Sequence, residues 1–251
     1  MKKKLLLLSL LLTTIFSSTM NAQEESKTDK IFRTFRFGLF VGPTFNTLKP
    51  TAASSDDYTI TKGKTNVGFS FGINADYNMN ERYTIYTGVG MDWRGGQIMA
   101  VHDTTKSLSS GYLKNADVMY KKMQYLTIPL GLKLKAVEFD QVKIFAQTGF
   151  DLAILLSQKG DYTYRLANDS ILSKSNEKLG GIATVVPINF GWSIGVGAEY
   201  ILNDKNSFYA TLLYRNGFVD ATTPKTNDGG LKFSDGNIRS NTFAIRVGYY
   251  F

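Results

Sequence analysis

The sequence contains no cysteine and a single histidine, His102, and these two scarcities exclude several classes of protein. Without thiols the chain can form no disulfide framework, no thiolate zinc site and no catalytic cysteine. One histidine excludes metal sites built from several imidazoles, and a serine triad would depend on His102 alone. We expect His102, which lies beside Asp103 in a polar stretch, to be a solvated loop residue. The sequence therefore predicts a protein without catalysis, cofactor or bound metal.

The chain also lacks any apolar segment of the roughly 20 residues that a membrane-spanning helix needs. Met1–Ala22 instead begins with three lysines, continues with an apolar run from Leu5 to Phe16 and ends in small polar residues, which is typical of a secretory signal peptide. Cleavage after Ala22 would lower the net charge from +8 to +5. The remaining positive charge is scattered, so no nucleic-acid partner is expected. Residues 23–34 are predicted to form a short periplasmic segment.

The rest of the chain alternates apolar and polar residues with a period of two. In the last stretch, Phe243, Ile245, Val247, Tyr249 and Phe251 share one face, and Thr242, Ala244, Arg246 and Gly248 share the other. Such alternation predicts a strand with one apolar face. Eight strands of this kind are predicted, at residues 35–46, 65–78, 82–96, 120–135, 141–155, 187–201, 207–218 and 240–251. Each is long enough to cross a bilayer, because a tilted strand needs about 9–11 residues.

The connections between these strands alternate in length. Residues 78–81, 136–140 and 202–206 form short turns, whereas residues 47–64, 97–119, 156–186 and 219–239 form long polar loops. An even strand number with short turns at one end and long loops at the other is the pattern of an outer-membrane barrel. We therefore predict an all-β fold, an eight-stranded antiparallel transmembrane up-and-down β-barrel over residues 35–251. A soluble barrel, the alternative, would turn its apolar face inward.

The polar face of the predicted barrel is rich in charge, which favours lipid outside and a polar lumen inside. Its charged residues are Arg36, Asp76, Arg82, Asp92, Arg94, Lys133, Lys135, Lys143, Asp151, Glu199, Arg215 and Arg246. An eight-stranded barrel is only wide enough to be filled by side chains. We therefore expect a polar network of ion pairs that plugs the lumen. The excess of basic residues leaves a narrow anion-preferring channel as the alternative.

Several short motifs along the predicted barrel carry a family resemblance. They are Tyr125–Leu130 followed by Lys133, Gly195–Tyr200, Tyr214–Phe218 and Gly248–Phe251, together with the Asn21-Ala22-Gln23 junction. With these motifs the chain resembles small outer-membrane β-barrel proteins of the Bacteroidetes, the PorT-like family, over about residues 35–251. The resemblance implies an outer-membrane location. One member of that family is tied to the type IX secretion pathway, so a role as a secretion accessory is implied as well.

Two further features predict partners. The longest loop carries the cluster Tyr162, Tyr164, Arg165 and Leu166, which forms either a docking surface or a segment folded over the barrel mouth. Phe251 ends an apolar strand and resembles the signal that the barrel assembly machinery recognises; an interfacial anchor is the alternative. The sequence thus predicts a structural or partner-binding component of the cell envelope, embedded in outer-membrane lipid, with an envelope or secretion protein as its partner. An enzyme active at the barrel rim is a distant alternative.

Overall fold

A computed structural model describes residues 34–52, 54–55, 57–103, 113–203, 205–223 and 235–251. The predicted signal peptide, and the predicted periplasmic segment up to residue 33, lie outside these residues. The strands are β1 Phe35–Pro50, β2 Ser54–Ser55, β3 Tyr58–Lys62, β4 Asn66–Asn78, β5 Tyr83–His102, β6 Leu113–Phe139, β7 Val142–Leu166, β8 Ile171–Lys178, β9 Ile188–Ile201, β10 Ser207–Gly217 and β11 Ile238–Tyr250. A 3-10 turn covers Gly181–Ala183. In the described part of the chain no helix is long and apolar enough to span a membrane.

Eight of the strands close into an antiparallel ring. The order around the ring is β1, β4, β5, β6, β7, β9, β10 and β11, and β11 pairs back with β1. At this closure Phe45 of β1 lies opposite Phe243 of β11. The predicted eight-stranded up-and-down barrel is therefore confirmed.

Short turns join neighbouring strands at one end of the ring, which we call the short-turn end. The Asn80 side-chain carbonyl accepts hydrogen bonds from the backbone N–H groups of Arg82 and Tyr83, at 2.9 and 2.7 Å. Asn203 makes the same kind of bonds in the turn between β9 and β10. An asparagine that bonds to the backbone two or three residues ahead stabilises a tight turn. The remaining connections lie at the opposite, long-loop end.

Three strands continue well beyond the predicted limits, so the prediction of polar loops at residues 97–119 and 156–186 is wrong. β5 extends to His102, β6 begins at Leu113, and β7 extends to Leu166 and pairs with β8. The physical reason is that alternating apolar residues in these extensions, such as Ile98 and Val118, are buried on one face. We call the extensions 97–102, 113–123 and 158–166, with β2, β3, β8 and the segments 48–50, 179–186, 220–223 and 235–238 that end beside them, the head.

The outer surface of the ring is covered by large apolar side chains. Exposed examples are Leu39, Phe69, Ile73, Val89, Leu130, Leu132, Phe150, Ile194, Val196, Leu212, Ile245 and Val247. The inner face instead uses glycines where large side chains point inward. A Cβ added at Gly131 or Gly149 would lie only 2.8 Å from the Tyr86 ring or hydroxyl. The barrel therefore turns its apolar face outward, as a lipid-embedded barrel does.

Candidate functional site

A charged cluster centred on Asp92 occupies the middle of the barrel. The Asp92 carboxylate lies 3.1 Å from an Arg94 nitrogen and 2.5 Å from an Arg215 nitrogen. The Thr127 hydroxyl donates a third hydrogen bond at 2.8 Å, and an Arg246 nitrogen lies 3.8 Å away. All of these side chains are buried. One carboxylate therefore ties together β5, β6, β10 and β11 across the lumen.

The arginines of this cluster have further partners. Arg215 also approaches Asp151 of β7, at 3.7 Å. The guanidinium groups of Arg94 and Arg246 lie over the Tyr125 and Phe40 rings, at 5.0 and 4.2 Å from the ring centroids. Such cation–π contacts stabilise a cation that has lost its water. With three arginines and two aspartates, the cluster has a net positive charge.

A second polar cluster lies nearer the short-turn end. Lys133 forms a 2.6 Å ion pair with Asp76 and donates a hydrogen bond to the Tyr250 hydroxyl at 2.8 Å. Arg36 pairs with Glu199 at 2.5 Å. These pairs connect β4 with β6 and β1 with β9, across the lumen rather than along neighbouring strands. The arrangement fills the barrel with fixed, mutually neutralising charges.

The structure separates Arg82 and Lys143 from the other predicted lumen residues. Arg82 lies in the turn between β4 and β5 and its side chain is exposed, so its assignment to the lumen is wrong. It precedes the first paired residue of β5, where the alternation of the strand does not apply. Lys143 lies at the barrel rim and pairs with Glu138 at 3.3 Å. Lys135 lies deeper than Lys143 and donates a 2.9 Å hydrogen bond to Asn78.

The head has an apolar core that lies over the long-loop end of the lumen. Its buried members include Leu48, Tyr58, Ile60, Ile98, Leu113, Val118, Tyr120, Met123, Tyr164, Leu179, Val185 and Ile238. His102 belongs to this region: it is 7% exposed and its ring lies edge-on to Tyr58, with the ring centroids 5.4 Å apart. The prediction of a solvated loop histidine is therefore wrong, because β5 continues through this residue and turns it inward.

The four residues predicted to form either a docking surface or a segment over the barrel mouth do not share one environment. Tyr164 is buried, and Tyr162 and Leu166 pack against the head core. Tyr162 and Tyr164 stack with their ring centroids 4.6 Å apart. Arg165 alone points outward and forms a 3.0 Å ion pair with Asp169. Three of the four residues therefore fold over the barrel mouth, and a partner cannot dock on Tyr164.

An acidic pair, missed from the sequence because it lies in the predicted loop 219–239, is found beside the head core. Asp220 accepts backbone hydrogen bonds from Thr222 and Ile238, at 3.2 and 2.9 Å. Asp235 is buried, which raises its pKa to about 7, and the nearby charge of Asp220 acts in the same direction. Only burial in the folded head, which the sequence pattern did not predict, reveals this group.

Most of the chain matches one known protein family. A family model described as "Outer membrane protein beta-barrel domain" matches residues 21–222. No curated protein matches the chain. Among the described residues no group of three or more histidine, aspartate or glutamate side chains is placed to hold a metal ion.

Solved structures of bacterial barrels are similar in fold at low sequence identity. The outer membrane protease OmpT from Escherichia coli is 10% identical, with a TM-score of 0.47, and the match covers 89% of this chain and 99% of that one. OprG from Pseudomonas aeruginosa is 13% identical, with a TM-score of 0.45 and the same coverage. Ail, the attachment invasion locus protein of Yersinia pestis, is 11% identical, with a TM-score of 0.37, and the match covers 87% of this chain and 100% of that one.

Proposed function

This chain belongs to the outer membrane protein beta-barrel domain family, and we propose that it is a non-catalytic, plugged barrel that presents its head to a protein partner of the cell envelope. In barrels of this kind the short turns face the periplasm and the long connections face outward. The head then projects from the outer surface. The barrel serves as the lipid-embedded support for a binding surface.

The observation that carries this proposal is the double closure of the lumen. Buried ion pairs around Asp92 fill the middle of the barrel, and the apolar head core lies over its long-loop end. A water-filled channel needs a continuous polar path, which an apolar core interrupts. An extended β-structure above a filled barrel is better suited to recognition than to transport, because loops and extensions on a rigid scaffold commonly carry binding residues.

The exposed hairpin of β7 and β8 is the part of the head that we assign to the partner. Within the described residues β8 pairs only with β7, so its other edge offers unpaired backbone groups. Ile171 is 67% exposed, and Leu172 beside it is also exposed. An extended segment of a partner can add to such an edge by backbone hydrogen bonds. The resemblance to the PorT-like family makes secretion machinery the partner class that we would test first.

Photocrosslinking in living cells tests this assignment. A photoreactive amino acid at Ile171 should give a discrete crosslinked product whose partner is identified by mass spectrometry. The same group at Lys205, in the short turn between β9 and β10, is the control and should not give that product. If positions along β8 give no crosslink while the barrel is abundant and folded, the partner-binding role is wrong.

The alternative function is a narrow anion-preferring channel, and the net positive charge of the Asp92 cluster is the observation that favours it. Planar-bilayer recording of the purified protein distinguishes the two functions. The plugged barrel should be electrically silent. An anion-selective conductance that Arg215→Gln removes would establish the channel instead.

We also propose that Phe251 is part of the signal for the barrel assembly machinery. Its side chain is 50% exposed on the outside of the barrel, and its backbone N–H donates a 2.9 Å hydrogen bond to Phe37. Deletion of Phe251 should slow assembly in cells while Phe251→Tyr should not. Equal abundance of the folded deletion variant would leave Phe251 as an ordinary interfacial anchor.

The absence of catalysis stays a proposal as well. His102 is the residue on which a rim hydrolase would depend, and it is buried against Tyr58. We expect His102→Ala to leave any lipase or protease activity of the purified protein unchanged. A hydrolytic activity lost in that variant would support the rim-active enzyme.

A further inference from the structure

Three lysines form a row across adjacent strands on the outer surface of the head. Lys122 of β6 lies opposite Lys159 of β7, and Lys159 lies opposite Lys178 of β8. All three side chains are exposed. Residues directly opposite each other in a sheet point to the same face, with Cβ atoms about 5 Å apart. The row therefore concentrates three positive charges within roughly 10 Å.

A β-bulge places Lys122 in this row. The pairing of β6 with β7 shifts between Tyr120 and Lys122, so Lys121 and Lys122 both lie between the buried residues Tyr120 and Met123. Lys121 forms an ion pair with Asp161. Lys122, in contrast, has no ion-pair partner in the described part of the chain, and the same holds for Lys159 and Lys178. No ion pair among the described residues therefore neutralises the row.

Like charges directly opposite in a sheet are destabilising. Lysines are common on exposed edge strands, where they discourage pairing with other chains, and this explains Lys178 on β8. It does not explain Lys122 and Lys159, because β6 and β7 have neighbours on both sides. An external anion that binds the row would offset the repulsion between these lysines.

The position of the row along the strands identifies the anion. Leu156 is the last large apolar residue on the outside of β7, and Lys159 follows it by three residues. Three residues of a tilted strand rise about 7–8 Å along the membrane normal. The headgroup layer on one side of a bilayer is about 5–8 Å thick. The lysines therefore lie at the depth of lipid headgroups, at the end of the barrel that carries the head.

A second cation pair lies beyond the last apolar side chains on another side of the barrel. Lys49 of β1 is directly opposite Arg239 of β11. Each lies four residues beyond the last large apolar side chain on the outside of its strand, Phe45 and Phe243 respectively. This pair lies about 10 Å beyond the last apolar side chains, slightly farther out than the lysine row. Like-charged cross-strand pairs thus recur just outside the apolar zone, as expected when the membrane provides the neutralising charge.

We propose that the row Lys122, Lys159 and Lys178 binds the phosphate groups of a phosphorylated lipid in the leaflet that surrounds the head. This site depends on the membrane placement given by the family and is independent of any protein partner at β8. Lysine ammonium groups are strong phosphate binders, and long stems allow them to reach the headgroup layer. The lipid phosphates neutralise the row and attach the base of the head to the membrane surface.

Lipid binding by the full mature protein in a nonionic detergent tests the proposal. Native mass spectrometry would follow titration with bisphosphorylated lipid A. The triple variant K122Q/K159Q/K178Q should bind on the order of 100-fold more weakly. The matched control K62Q/K174Q/K205Q removes three exposed lysines outside the row and should bind as the wild type does. If the triple variant does not fold, K159Q alone should weaken binding about fivefold.

Three outcomes would overturn the proposal. Equal binding by the wild type and the folded triple variant would show that the row takes no part. Equal binding of dephosphorylated lipid A would show that the acyl chains alone are recognised. Displacement of the lipid by millimolar inorganic phosphate would assign the row to a soluble anion. Crosslinking at Ile171 reports on the protein partner separately, so failure of one assignment does not decide the other.

Discussion

The interior of the barrel and the interior of the head are opposite in character, although the same strands build both. Inside the barrel, Asp92, Arg94 and Arg215 are buried and ion-paired. Inside the head, Tyr120 and Leu113 are buried in an apolar core. A buried charge is tolerated only where it is paired, whereas an apolar core is stabilised by burial itself. The two regions are therefore held together by different forces.

Strand β6 shows where the polar interior of the barrel changes to the apolar interior of the head. In its barrel portion Lys133 points inward and Leu130 outward; in its head portion Val118 points inward and Lys121 outward. The inversion follows the surrounding medium, since lipid favours apolar residues outside and water favours polar ones. The β-bulge near Lys122 lies within this transition. The point at which the outward-facing residues of β6 change from apolar to polar thus marks the membrane boundary.

The largest loss of stability is expected from Asp92→Asn in the barrel interior. Removal of the charge leaves three buried arginines with too few partners, and breaking a buried ion pair costs about 3–5 kcal/mol. Urea unfolding of the protein in lipid vesicles measures the loss. Thr127→Val, which removes one hydrogen bond to the same carboxylate, should cost only about 1 kcal/mol. A loss for Asp92→Asn no larger than for Thr127→Val would refute the central role of this ion cluster.

A somewhat smaller loss of stability, confined to the head, is expected from Leu113→Ala in the head core. Deletion of a fully buried leucine side chain typically costs about 2–5 kcal/mol. We expect faster hydrogen exchange and proteolysis of the head while the barrel keeps its resistance to unfolding. Leu130→Ala, on the lipid-facing side of β6, is the control and should leave the head unchanged. Simultaneous loss of barrel and head would mean that the two regions form one cooperative unit.

The stability of the head should depend on pH through Asp235. Because burial raises the pKa of this carboxyl to about 7, the folded head binds its proton more tightly than the unfolded chain does. The contribution to stability is thus complete below about pH 4 and is lost as the pH rises to about 7, with a magnitude of up to about 4 kcal/mol.

Hydrogen exchange of the head between pH 4 and 8, corrected for intrinsic rates, measures this dependence. Asp235→Asn should flatten the profile over that range and stabilise the head at pH 8. An unchanged profile in the variant would rule out Asp235 as its source.

The smallest effect is expected at an ion pair on the surface of the head. Lys114 and Asp169 lie 2.7 Å apart, but the side chains are 35% and 55% exposed to solvent. Solvent screening makes such pairs contribute little to stability. Lys114→Met should give no measurable change in urea unfolding, in contrast to Asp92→Asn. A comparable loss in both variants would remove the distinction between paired charges in the lumen and paired charges in water.

The barrel could be predicted from the sequence because both of its surroundings act on every strand. Lipid on one side and the lumen on the other impose a strict period of two, so strand number and order followed directly. The head was missed because its residues were assigned to polar loops. The stretch 98–101 is apolar throughout, because the outward-facing Met99 and Val101 are apolar as well, so it shows no alternation; around Ala116 and Val118 the alternation is short.

The candidate site was predictable in composition but not in pairing. Alternation placed Asp92 and Arg215 on the inner face, but they are 123 residues apart and meet only when the ring closes. Tyr250 and Thr127 were missed because a search for charge passes over neutral hydrogen-bonding partners. The error at Arg82 arose at a strand end, where a turn replaces the alternation. The partners of each lumen residue therefore become clear only from the closed ring, and the limits of each strand become clear only from the geometry of the turns.

The continuity of β6 has a mechanical consequence. This strand runs unbroken from Leu113 to Phe139 and is paired along nearly its whole length with β5 and β7. A force applied to the head along the strands loads many backbone hydrogen bonds in parallel, which is the direction in which a sheet resists separation most strongly. The strand continues through the β-bulges at Tyr120/Lys122 and Gln124/Tyr125, which lie between the head and the barrel. A force on the head would therefore be transmitted through β6 directly to the paired strands of the barrel.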